Sequence, residues 1–219
     1  GSLYGLENFS IYNYNYPLRG YLFPLFTYAI RKLAFEGLGT ERKVFCVVTS
    51  LLYSFFFMIL LPQILKLMFE IIVPLWNRLI FTAVCIIMFR GMILYPLTDL
   101  FGLMCMCIAI CFYLMLMQDR VKKRAVRVLY AIGMGMALGG AYYVRPVYLI
   151  TWIAFAGIML FEVIRTKKWI LLFGVIGIFL IAMPQVCINH KHFNTWSPMI
   201  QTQLHFGESL YLSQLEWGV

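Results

Sequence analysis

Residues 100–118 read LFGLMCMCIAICFYLMLMQ, an unbroken run without a formal charge, with Asp99 before it and a basic loop opening at Arg120 after it. A membrane-spanning helix needs about 20 mostly apolar residues, within a range of about 17–25, and this stretch has that length. Working outward, Val44–Leu65, Leu79–Thr98, Val128–Val144, Pro146–Phe161 and Trp169–Asn189 are further runs of the same kind, the second of them carrying Arg90. Together they predict six spans. Pro62, Pro74, Pro96, Pro146 and Pro184 fall near ends or kinks, where membrane helices tolerate proline.

Composition agrees with that reading. The 219 residues are 63% hydrophobic and 12% charged, against about 45–50% and about 25% in a soluble domain. With 19 Phe, 14 Tyr and 5 Trp the chain is not a disordered one either. The expected class is an all-α, polytopic transmembrane helical bundle. A net charge of +9 would suggest nucleic acid in a soluble protein. Here the cations sit in short clusters between apolar runs, the pattern that orients helices in a bilayer, so the partner is membrane lipid and not nucleic acid.

The clusters set an expected topology. Lys66, Arg78, Arg120, Lys122, Lys123, Arg124, Arg127, Arg165, Lys167 and Lys168 share the cytoplasmic side, and the short outer turns hold Asp99 and Arg145. Residues 1–43 are then an outer segment, 44–188 the bundle and 189–219 an outer-facing tail. Within the first segment, residues 20–36 are expected to lie along the outer surface as an amphipathic helix, since the apolar run is short and Arg31-Lys32 interrupt it. Reading it as a span would reverse every later loop. The chain opens Gly1-Ser2 without an initiator Met, shows no signal-peptide pattern and stops at Val219. It reads as a piece of a longer membrane protein, with Gly1-Ser2 open to being an expression scar.

Few residues here can carry chemistry. Asp99, one of nine acids, sits between two spans, where an ionisable group is a functional hypothesis by default. It also suits the N-cap of the helix opening at Leu100, and the two roles are compatible. Arg90 lies inside a span at a cost of about 2.5–3.5 kcal/mol, roughly 13 Å along the helix from Asp99. It faces protein or water there, or is satisfied by backbone carbonyls and snorkelling. Arg145-Pro146, beside Tyr142, Tyr143 and Tyr148, reads either as an aromatic belt with a snorkelling Arg or as a cation for a lipid phosphate.

His190-Lys191-His192, with His205 and Glu208 beyond, matches no strong metal motif. The cofactor stays open, a divalent metal being compatible. Cys46, Cys85, Cys105, Cys107, Cys111 and Cys187 lie in apolar runs without Cys-x-x-Cys spacing and read as small buried hydrophobes. Gly133-x-Gly135-x-x-x-Gly139-Gly140 predicts close helix packing, not a phosphate loop. Asn8-Phe9-Ser10 is a glycosylation sequon, relevant in a secretory-pathway host.

Several loose motifs follow one another along the chain: Pro17-Leu18-Arg19-Gly20-Tyr21-Leu22-Phe23-Pro24, then Arg42 opening a span, then Tyr95-Pro96-Leu97-Thr98-Asp99. Arg145-Pro146 comes next, followed by Pro184 to Asn189 and the aromatic-rich segment His192-Phe193-Asn194-Thr195-Trp196-Ser197-Pro198. This order resembles the membrane-embedded glycosyltransferases of the GT-C fold, which include bacterial relatives of protein mannosyltransferases and lipid A aminoarabinose transferases. The resemblance spans nearly the whole chain. It implies a multi-pass protein of a bacterial plasma membrane that transfers a sugar from a polyprenyl-phosphate carrier to an acceptor at the outer face. Asp99 and Glu7 are then the catalytic acids, and Arg90, Arg145, Arg19, Asn189 and His192 bind substrate. Such enzymes carry an acid just after their first span. No span precedes residue 20, and Glu7 is the sole acid before Glu36, so the first span and its acid are expected ahead of residue 1.

The chemistry would need a carboxylate for the acceptor hydroxyl and cations for the leaving phosphate. Two other classes compete. A transporter or lipid flippase would carry polar groups near the midplane and internal repeats. A non-enzymatic membrane scaffold would leave Asp99, Arg90 and Arg145 apart. No repeat is visible and the polar residues gather at the outer ends, which favours an outer-face site. Oligomeric state is left open.

Overall fold

In a bilayer each backbone N–H and C=O must find its partner within the protein, so long apolar runs fold as helices. The computed structural model describes residues 20–34, 41–88 and 98–198, and among these all regular structure is helical. Helix α1 is Leu22–Ala34. Helix α2, Glu41–Phe55, runs through a π turn, Phe56–Leu60, into α3, Leu61–Phe69. Then come α4 (Leu75–Met88), α5 (Thr98–Met117), α6 (Arg124–Val144) and α7 (Tyr148–Thr166). A 3-10 turn, Trp169–Phe173, leads into α8 (Gly174–Phe193).

Five segments are long and apolar enough to cross a membrane: Thr49–Phe69, Thr98–Met117, Arg124–Val144, Tyr148–Thr166 and Trp169–His192. Leu75–Met88 is apolar but shorter. The expected six spans thus become, among the described residues, five plus a shorter helix. Residues 1–19, with Glu7 and Arg19, lie outside the described residues, as do 89–97, with Arg90, and 199–219, with His205 and Glu208.

Helix ends differ from the charge-free runs in a consistent direction. α6 starts at Arg124, not Val128, and α7 runs to Thr166, not Phe161. A charge limits how deep a segment sits in lipid, but it does not interrupt the i→i−4 hydrogen-bond ladder. α7 therefore continues through Glu162, whose carboxylate meets Arg165 at 3.9 Å. Likewise α4 opens at Leu75, four residues before the charge-free run at Leu79, and takes Arg78, which flanks the loop in the sequence, into its first turn. The Arg78 guanidinium then serves the backbone. Its Nε donates to the Val73 carbonyl at 2.8 Å and its Nη1 to the Met58 carbonyl at 3.3 Å. Pro62 has no N–H to return to Met58, four residues earlier, and the π turn ends just before it, as expected where a helix accommodates proline.

Apolar faces gain nothing by leaving lipid for another helix, so close contact has to hold the bundle together. α6 is the central helix, packed along α5 and along α8. Its Ala131, Met134, Leu138 and Ala141 are buried, three and four residues apart on one face. The glycine motif works as the sequence suggested, and its partner is on α8. A Cβ at Gly135 would fall on the Gly174 carbonyl, and one at Gly177 would fall on the Ile132 carbonyl. The two backbones touch there because neither has a side chain to hold them apart. Cys85, Cys105, Cys107 and Cys111 are buried free thiols, whereas Cys187 is exposed on the bundle surface.

α1 spans roughly 20 Å at 1.5 Å per residue, less than the hydrocarbon thickness of about 30 Å. The rings of Phe23 and Phe26 lie 5.8 and 4.7 Å from that of Phe101 near the start of α5. Tyr21 donates its hydroxyl to the Ile181 carbonyl on α8 at 2.8 Å, and Leu22 meets Gly140 on α6. α1 thus docks toward the end of the bundle that holds Asp99 and Arg145.

The opposite end is basic and cross-tied. Lys168 Nζ donates to Asp119 Oδ2 at 2.7 Å and to the Met117 carbonyl at 2.8 Å. Arg127 reaches the other Asp119 oxygen at 3.1 Å, and Gln118 donates to the Leu67 carbonyl at 2.7 Å. The Lys168 hydrogen bond, helped by the Lys168 and Arg127 charges, holds the Asp119 carboxyl below the usual carboxylate range. A depressed carboxyl contributes stability above its unfolded value of about 4 and loses it as pH falls through the folded value. Thermal unfolding in detergent should therefore show the protein more stable than Asp119→Asn near neutrality. The gap should close below about pH 4, and a gap that did not narrow on acidification would remove this link. Asp119 is more than half exposed, so the effect will be small.

Candidate functional site

α5 and α6 form an antiparallel pair joined at the basic end, which returns the start of α5 and the end of α6 to one level. Thr98-Asp99 opens α5, and Arg145 closes α6 in extended conformation, its N–H bonded to the Ala141 carbonyl at 3.0 Å. Pro146 cannot continue the helix ladder, and α7 restarts at Tyr148. Across this corner Arg145 Nη2 meets Asp99 Oδ2 at 2.6 Å, and its Nε donates to Thr98 Oγ1 at 3.2 Å. Tyr148 donates its hydroxyl to the Asp99 carbonyl at 3.0 Å. Its ring lies over Gly102, where any Cβ would collide with it. The ion pair is roughly half exposed on both sides, open to a ligand.

A second polar group closes the end of α8. Gln185 and Asn189, both 2% exposed, lie one turn apart, with Gln185 Nε2 donating to Asn189 Oδ1 at 3.0 Å. Asn189 Nδ2 donates to the Ser197 carbonyl at 2.8 Å. The chain reverses after Phe193 through Asn194, which is left-handed at φ 55° and bonds back to the His190 carbonyl. Residues 195–198 then strap back over the helix. Trp196 stacks on the His190 ring at 3.8 Å, and Tyr143 of α6 donates to the Pro198 carbonyl at 2.6 Å. Tyr143 sits two residues before Arg145, so the strap is tied to the same helix end as the ion pair.

Of the residues singled out from sequence, the structure brings Asp99 and Arg145 into contact. Asn189 lies in the neighbouring amide group, joined to that corner through the strap and Tyr143. His192 occupies the last turn of α8, beyond His190. Three participants were missed. Tyr148 and Tyr143 were read as belt aromatics, although a tyrosine hydroxyl at a buried helix end seeks an acceptor. Gln185 was passed over, although an amide in an apolar run four residues before Asn189 was a visible signal. Its Oε1 is buried and has no donor among the described residues. No three His, Cys, Asp or Glu side chains among the described residues are grouped to hold a metal.

A family model described as "Conserved hypothetical integral membrane protein" matches residues 44–206. The chain belongs to that family. It is a multi-pass integral membrane protein, and the matched region includes Asp99, Arg145, Asn189 and His192. No curated protein and no solved structure matches the chain.

Proposed function

We propose that this protein takes part in glycosyl transfer, moving a sugar from a polyprenyl-phosphate carrier to an acceptor hydroxyl at the Asp99 end of the bundle, as the GT-C resemblance implies. One observation carries the reading. A carboxylate and a guanidinium from two helix ends, 46 positions apart in sequence, meet at 2.6 Å in an accessible corner.

In the resting pair Arg145 neutralises Asp99. A donor phosphate competes for the same guanidinium, which suits phosphate oxygens in two-pronged geometry. Once Arg145 has turned to the phosphate, Asp99 is free to take the acceptor's hydroxyl proton. The acceptor oxygen forms its bond to the anomeric carbon, the bond from that carbon to the phosphate oxygen breaks, and the electron pair leaves on polyprenyl phosphate. Asp99 ends protonated and Arg145 offsets the phosphate charge. Asn189, Gln185, His192 and the strap would border the sugar. Glu7, Arg19 and Arg90 stay assigned to this reaction by resemblance alone.

The test is sugar transfer by the full-length protein in vesicles, supplied with a polyprenyl-phosphate sugar and a hydroxyl acceptor. Transfer with release of polyprenyl phosphate is expected. No turnover across a panel of such donors would overturn the reading in favour of a scaffold.

A further inference from the structure

The basic end carries more positive charge than its own acids balance. Lys122, Arg124, Arg127, Lys167 and Lys168 line a cavity of about 370 Å³ together with Trp169 and Ile170. Asp119 occupies Lys168 and Arg127, which leaves Lys122, Arg124 and Lys167 exposed and without an acidic partner among the described residues. Arg127 Nε is buried there without an acceptor among the described residues. Lys122 and Arg124 also stand at the wrong helix end, whereas Lys167 caps the C-terminus of α7, where a cation is favoured. α6 begins at Arg124 with no acid in its first turn and no side-chain cap at Lys123. Cations at a helix N-terminus are disfavoured by the helix dipole, whereas an anion is welcome.

A second cavity, also about 370 Å³, is lined by apolar side chains including Leu138, Trp152, Val163, Leu171 and Val175. Both cavities draw on α6, the end of α7 and the 3-10 turn, and α8 adds Gly174, Val175 and Ile178 to the second. α6 supplies Arg127 to the first and Gly135 to the second. The end of α7 supplies Lys167 and then Val163. The 3-10 turn supplies Trp169 and Ile170 to the first, and Leu171 and Leu172 to the second. An open cationic pocket, which includes the exposed Trp169, and an apolar groove therefore follow one another along the same elements, as headgroups and acyl chains do across a membrane interface.

We propose that these two pockets together bind one anionic glycerophospholipid, its phosphate among Lys122, Arg124 and Lys167 and an acyl chain in the apolar groove between α7 and α8. Basic pockets between membrane helices suit such headgroups. A free phosphate would use the cationic pocket and leave the groove unused; a zwitterionic lipid would fill the groove and leave the charge unanswered. The site is at the opposite end from Asp99 and stands apart from the glycosyl-transfer reading.

The test uses the purified full chain in detergent, probed with phosphatidylglycerol, with phosphatidylcholine of the same acyl chains, and with inorganic phosphate. Native mass spectrometry should show phosphatidylglycerol retained at least ten times better than phosphatidylcholine, and only phosphatidylglycerol should raise the melting temperature. In a triple Lys122→Gln, Arg124→Gln, Lys167→Gln variant the preference should vanish. Its lipid-free melting temperature should stay close to that of the unsubstituted protein, because Lys122→Gln and Arg124→Gln remove charge from the positive end of α6 while Lys167→Gln removes a favourable charge from the negative end of α7. Equal retention of the two lipids, an unchanged preference in the variant, or an equal rise with inorganic phosphate alone would each overturn the proposal.

Discussion

Asp99→Asn in the full-length protein should lower sugar transfer by roughly 10²–10⁴-fold, the usual worth of a positioned general base, with little change in melting temperature. Asparagine keeps the shape and still accepts from Arg145, but it takes no proton. The stability cost is small because the pair is half exposed, and such pairs contribute about 0–1 kcal/mol. The substitution also releases Arg145 from a competing carboxylate, so the donor KM should stay level or fall while kcat drops. Arg145→Gln should show the other split. It loses roughly 10²–10³-fold, as when a transition-state charge partner is removed, and it raises the donor KM as well. Unchanged transfer by Asp99→Asn would take Asp99 out of the reaction. A loss that followed the melting temperature would make the pair purely structural.

The largest stability effect is expected at the α6–α8 contact. Gly177→Ala would drive its Cβ into the Ile132 carbonyl and to 2.7 Å from the Met136 nitrogen, and Gly135→Ala would do the same to the Gly174 carbonyl. These are backbone atoms held in two helix ladders, so the helices themselves must separate. Overpacking a tight site costs about 1–3 kcal/mol and occasionally more, and both substitutions belong at the upper end. Gly157→Ala is the matched control. Nothing lies within 4 Å of its Cβ position on α7, and alanine in a helix gains about 0.5–1 kcal/mol over glycine. Thermal unfolding in detergent should therefore show opposite signs. A Gly177→Ala protein that melted at the original temperature would mean that α6 and α8 are not held by this contact.

Run length and charge by themselves determine that α5, α6, α7 and α8 are membrane helices, because lipid leaves a long apolar segment no other way to satisfy its backbone. The same reading finds Asp99 and Arg145 at one end of the bundle, since consecutive spans alternate direction. It also finds the glycines of α6, because a small-residue row in an apolar helix has few uses besides contact. It misjudged helix ends at Arg124, Glu162 and Arg78, where it took a charge for a boundary.

Tertiary structure alone decided which sides meet. α5 is apolar all the way round, from Phe101 to Met117, so no polar stripe marks the face that turns toward α6. The rotation that brings Asp99 to Arg145 is set by Tyr148 lying over Gly102 and by the α6 packing. Gly174 and Gly177 became the partners of the α6 motif through the register of α8, which the apolar pattern does not encode. The apolar groove that runs along α7 from Trp152 to Val163 likewise depends on α7 standing off from α8. In water a hydrophobic stripe would have announced these faces. In lipid the solvent is as apolar as the core, so the pattern that reveals a helix says nothing about its orientation, and close packing makes that choice.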